Sequence, residues 1–217
     1  MQDWCPKLGS YWTDLKDDGT YQTHPLQGQV FEIPHLVPAT GPRNPSYRLT
    51  QHMVKVMLVR NVSGVALLPA RVVTLKTSNA TVRALDEVSG YVNVVNTAHC
   101  VFSDPYLPSA GVPDKSLFLA VIGGPTYVRL SGTSGDTNGD ITAGDYLISA
   151  ATGSSATDTA GGRVSKYAVG SPADAAAAAE MAINSINNTI AWALESKSAT
   201  TNAGELILVN ACCKIDT

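Results

Sequence analysis

The segments Tyr127-Val128-Arg129-Leu130 and Ile141-Thr142-Ala143-Gly144-Asp145-Tyr146-Leu147-Ile148-Ser149, separated by the polar loop Ser131 to Asp140, govern the reading of the whole chain. The first is a short β-prone run. Ala143-Gly144-Asp145 is turn chemistry, because Gly tolerates φ > 0 and Asp can bond backbone amides beyond it. Tyr146-Leu147-Ile148 then resumes an apolar, β-prone run. Further strand candidates follow at Arg163 to Val169, Thr189 to Ser196 and Leu206 to Val209. Short strands with Gly-bearing turns predict a chain that closes on itself as a small barrel or sandwich.

The pattern extends upstream. Met53 to Arg60 is a strand of mixed alternation, and Asn61-Val62-Ser63-Gly64 is a turn. Val65 to Pro69, Ala70 to Leu75, Thr81 to Leu85, Tyr91 to Val95 and Ser116 to Ile122 are further strand candidates. Gly123-Gly124-Pro125 reads as a hard stop after the last of them. Strand-like runs at this spacing, without strand–helix alternation, predict an all-β fold of short antiparallel strands. One short Ala-rich helix is expected. Ser171 is its N-cap, Pro172 takes the first helical position, Asp174 the third, and Asn187-Asn188 ends it.

Residues 1 to about 50 differ. Pro6, Pro25, Pro34, Pro38, Pro42 and Pro45 punctuate them, which argues against a long helix or a central strand. The segment is nevertheless too apolar for a disordered tail. The expectation is an extended, Pro-rich N-terminal arm (1–50) preceding a β-rich domain (51–217). The arm would lie on its own barrel, on a neighbouring copy, or on a scaffold beneath. Trp4, Tyr11, Trp12 and Phe31 are its candidate intersubunit contacts.

Charged residues make up 15% of the 217-residue chain, against roughly 25% in ordinary globular proteins. This suits either a surface partly covered by other subunits or a neutral, Ser/Thr/Asn-coated monomer. Net charge is −3 and Lys and Arg do not cluster, which argues against nucleic-acid binding. No secretory leader pattern opens the chain, and no apolar run approaches the roughly 20 residues of a membrane helix. Cys5, Cys100, Cys212 and Cys213 lack zinc-type spacing and read as reduced structural cysteines.

Two motifs invite chemistry. Asp136-Thr137-Asn138-Gly139-Asp140 has oxygen side chains where a calcium loop begins, but Ile141 and Leu147 replace the Gly and Glu the pattern then needs. Thr97-Ala98-His99-Cys100 and Gly132-Thr133-Ser134-Gly135, with Asp104 or Asp114, look like the motifs of trypsin-like viral serine proteases. The interval from His99 to Ser134 is too short for the intervening strands of that fold. No enzyme activity, cofactor or metal is expected.

The order Ile141 to Ser149, Gly161-Gly162-Arg163-Val164, Ala191-Trp192-Ala193-Leu194-Glu195 and Leu206 to Val209 resembles the β-rich domain of tailed-phage capsid decoration (cement) proteins. Val54 to Leu75 looks like the opening strands of such a domain. The resemblance implies a structural virion protein, synthesised in the host cytoplasm, that sits on the capsid surface and bridges major capsid protein subunits. It also implies a homotrimer. The rival expectation is a receptor- or glycan-binding virion appendage, a head fibre or tail component, with an exposed aromatic cluster at a loop end.

Overall fold

Strands whose apolar residues run without a polar break are covered on both faces, and a closed sheet flanked by more sheet supplies both covers. The computed structural model describes residues 7–16, 19–21, 23–38, 47–76, 85–92, 99–131, 140–149, 161–166, 175–197 and 204–213. It contains β1 (Tyr11–Trp12), β2 (Val30–Pro38), β3 (Tyr47–Asn61), β4 (Val72–Leu75), β5 (Glu87–Tyr91), β6 (Cys100–Ser103), β7 (Leu117–Arg129), β8 (Tyr146–Ser149), β9 (Val164–Lys166), α1 (Ala175–Asn188), β10 (Ala191–Ala193) and β11 (Leu206–Cys212).

The strands form two rings that share β7. In the first, β3, β5, β4, β6 and β7 pair in that order, and β7 returns to β3. In the second, β7, β11, β10, β8 and β9 pair in order, and a bridge between Leu130 and Val164 closes the circle. The all-β, small-barrel expectation holds, with one refinement. A closed ring must contain an even number of antiparallel pairings, so five strands cannot all alternate. Each ring accordingly has one parallel contact, β3 with β5 in the first and Leu130 with Val164 in the second.

Alternate residues of β3 and β7 enter different cores. Val56, Leu58, Leu119 and Val121 pack with Val128, Leu147 and Ile207. Their neighbours Met57, Val59, Phe118 and Ala120 pack with Val73, Leu75 and Val101. A slip of one residue would exchange the two sets, so the register is strongly specified.

Gly123-Gly124-Pro125 does not end a strand, contrary to expectation. β7 runs through it from one ring to the other. Against β3, Val121 faces Val56 and Gly123 faces Lys55, so Ile122 is an extra, bulged residue. Gly124 has φ of 88°, and a Cβ there would lie 2.6 Å from the Met53 carbonyl oxygen. Glycine thus lets β7 pass close beneath β3, and Pro125 is tolerated beside the bulge.

The boundary expected at residue 50 falls inside β3. β2 pairs along β3, and β1 pairs with β7 through Tyr11 opposite Phe118. Of the three surfaces considered for the N-terminal segment, its described part lies on its own sheet. Its prolines fit because Pro34 and Pro38 sit on β2, which among the described residues is an edge strand paired only with β3.

The Ala-rich helix is present as α1 and packs against β8, with Ile183 exposed. Its expected cap residues, Ser171 to Asp174, lie outside the described residues. Cys100 is buried, and burial pushes its thiol up to about 12.

Candidate docking surfaces

The N-terminal segment is anchored by polar side chains that sequence reading passed over. Arg60 on β3 is wholly buried. Its guanidinium donates to both carboxylate oxygens of Asp14, at 2.6 and 3.1 Å, to the Lys115 carbonyl at 2.6 Å and to Gln27 Oε1 at 3.2 Å. The Tyr21 ring stacks on it, 4.3 Å from ring centroid to guanidinium carbon. Three residues of the segment therefore converge on one buried cation. The hydrogen bond from Arg60 holds the Asp14 carboxyl below its usual range. A second anchor is Asp104, whose oxygens accept from the amides of Gly9 and Tyr106.

Burial pushes Asp104 up to about 7 from 3.8. A carboxyl whose folded pKa is raised favours the fold when protonated, so its contribution is full below pH 3.8 and is lost as pH rises through about 7. Asp14 has the opposite sign. Its contribution is full above 3.8 and is lost as pH falls through its lowered folded pKa. Melting temperature should therefore decline between mildly acidic and mildly alkaline pH. In Asp104→Asn that decline should flatten, whatever the variant's absolute stability. An unchanged slope would assign the titration to other groups.

Three of the four aromatic candidates lie within the described residues. Trp12 and Phe31 are half-buried against the chain's own core, Tyr11 is at the threshold of exposure, and Trp4 lies outside the described residues. The protease constellation is not assembled from its described members. Asp104 binds backbone amides, Asp114 accepts from the Gly64 amide, and His99 sits at a turn with φ of 61°. Ser134 and Asp136 to Gly139 lie outside the described residues. Among the described residues, no group of three His, Cys, Asp or Glu side chains is placed to hold a metal ion.

Two other features present unpaired structure. The first is a ribbon. β3 pairs with β7 only from Lys55 onward, while β2 follows β3 back to Tyr47, with Leu36 opposite Leu49 and Val37 opposite Arg48. Among the described residues, no third strand joins this part. An isolated two-stranded ribbon is marginally stable in water.

The second is an outward row on the second ring. Tyr146, Trp192, Asn210 and Pro125 lie opposite one another across β8, β10, β11 and β7. Tyr146 is 50% exposed and Trp192 37%, with ring centroids 6.5 Å apart and planes at 56°. Leu194 and Leu206 are exposed nearby. The sequence carries a signal for this face in Ala191-Trp192-Ala193-Leu194. Ala191 and Ala193 point inward and are buried, while the large residues point out. This inverts the usual order, in which the larger apolar group is buried.

No family model matches this chain, and no curated protein does. Among solved structures it is similar to the head fiber gp8.5 N base in bacteriophage phi29, with a TM-score of 0.38 and 12% identity over 75% of this chain and 98% of that chain. What the geometry itself defines is a mostly-β protein in which Asp14, Asp104 and Asp114 each bind groups of the chain itself.

Proposed function

We propose that this chain is a structural protein of a tailed-phage virion, a decoration protein held on the outer surface of the head. The observation that carries the attachment mode is the β2–β3 ribbon, which pairs only with itself among the described residues. Such a ribbon gains stability by lying along a partner, and the major capsid protein is the partner the resemblance implies. Low charge density and the occupied carboxylates support adhesion over catalysis. Binding only to the assembled shell would stabilise that shell by mass action. A homotrimer would add avidity.

Mass spectrometry of purified particles, with copy number relative to the major capsid protein, tests the location. Absence from particles sinks the virion reading. Replacing residues 36–49 with an Asn-Gly turn should leave the barrel folded and weaken particle binding at least tenfold, a change of about 1.4 kcal/mol. Equal binding sinks the ribbon's role. Light scattering that gives a single 22.7 kDa species would count against the trimer.

A second reading, a glycan- or receptor-binding appendage of the virion, is favoured by the exposed Tyr146–Trp192 pair, which lies on a sheet face beside the Thr142–Asp145 turn.

A further inference from the structure

The row Tyr146–Trp192–Asn210 combines two properties that seldom coincide. It is apolar in its flat surfaces and polar at its edges. The Tyr146 hydroxyl, the Trp192 indole N–H and the Asn210 amide make no hydrogen bond to any described residue. All three side chains share one face, because residues directly opposite on neighbouring strands point the same way. Neighbouring strands lie about 4.8 Å apart, so the row spans about two such steps from Tyr146 to Asn210.

The flanking charges do not make this a charged site. Asp145 is paired with Lys166 at 2.7 Å and accepts from the Thr142 amide. Glu195 accepts from the Leu208 amide. The ligand that fits is therefore uncharged, has apolar ring faces to lay on the aromatics, and carries hydroxyls to bond these three polar groups.

The extent of the face separates a small ligand from a second copy. Four partly exposed apolar side chains present a few hundred Å², a size common for functional patches on monomers. A stable protein interface needs about 800 Å² from each partner. A dry protein contact would also bury the hydroxyl, indole and amide without partners, at a cost of about 1–3 kcal/mol each.

We infer that the outward face of β8, β10 and β11 is a binding platform for a neutral saccharide, with a pyranose ring stacked on Trp192, Tyr146 as the side wall and Asn210 holding a hydroxyl. The inference develops the second reading above. It concerns the isolated chain, so sugar binding and attachment to a capsid succeed or fail separately.

The test uses the purified full chain with maltohexaose and chitohexaose at millimolar concentration. Saturation-transfer NMR and tryptophan fluorescence are the readouts. Wild type should transfer saturation to sugar ring protons for at least one of the two and should change its emission on titration. Trp192→Ala should weaken binding at least tenfold, and Asn210→Ala about fivefold, the loss of one hydrogen bond. Both variants should keep the wild-type circular dichroism, since the residues lie on the outside. The double variant Trp4→Phe with Trp12→Phe should retain the emission change, which assigns it to Trp192, the remaining tryptophan. Absence of transfer and emission change with both sugars overturns the proposal, as does equal binding by Trp192→Ala. A wild-type oligomer that Trp192→Ala converts to monomer also overturns it and makes the face a contact between copies.

Discussion

A chain lacking residues 2–45 should fail to fold. The sequence alone favours the opposite result, because a Pro-rich segment reads as an attachment to a finished domain. The structure gives three reasons for loss. Leu8 is part of the main core. β2 covers β3 along most of its length. Asp14, Tyr21 and Gln27 together surround the guanidinium of Arg60, which is wholly buried. Truncation would leave that cation without its carboxylate, and an unpaired charge in an interior is among the most destabilising lesions. Circular dichroism and thermal melting should show neither the β spectrum nor a cooperative transition. A cooperative transition in the truncated protein would mean that residues 46–217 build the core unaided.

Point variants isolate the cation from the rest of the segment. Asp14→Ala should cost about 3 kcal/mol, the low end for breaking such a pair, since a third of the Asp14 side chain keeps contact with water. Adding Arg60→Met should recover part of the loss, because an apolar replacement of a buried ion removes the desolvation cost. If the two substitutions are simply additive, Arg60 does not need Asp14 in the way the geometry implies.

Gly124→Ala should lose about 3 kcal/mol, a fall in melting temperature of about 6–12 °C for a chain of this size. Two effects combine at this position. The φ of 88° disfavours any side chain, and the new Cβ would meet the Met53 carbonyl oxygen at 2.6 Å. Gly144→Ala separates them. Gly144 has φ of 95° but nothing within 4 Å of its would-be Cβ, so only the conformational term applies, about 1 kcal/mol. Equal losses at the two sites would mean that the crossing of β7 beneath β3 is less tight than it stands in the structure.

Much of the architecture follows from local chemistry. Runs such as Val56 to Val59 and Leu117 to Val121 are β-prone and apolar at every position, which already requires cover on both faces. The Gly144-Asp145 turn and the Ala-rich helix are equally local, and both appear where their residues place them. These features depend on neighbours within a few residues, so the order of amino acids determined them. The rest depends on partners far along the chain. Gly123-Gly124-Pro125 reads as a stop in isolation and becomes a passage only because the Met53 carbonyl lies against it. Arg60 is, in the sequence, only the last residue of a strand candidate; it becomes a buried centre because Asp14, 46 residues away, folds back onto it. Trp12, a candidate contact in the sequence, packs against the chain's own core, while Trp192 stays on the outside. Which of two opposite faces is interior depends on how the sheet closes, and closure is a contact between distant strands that no local pattern encodes.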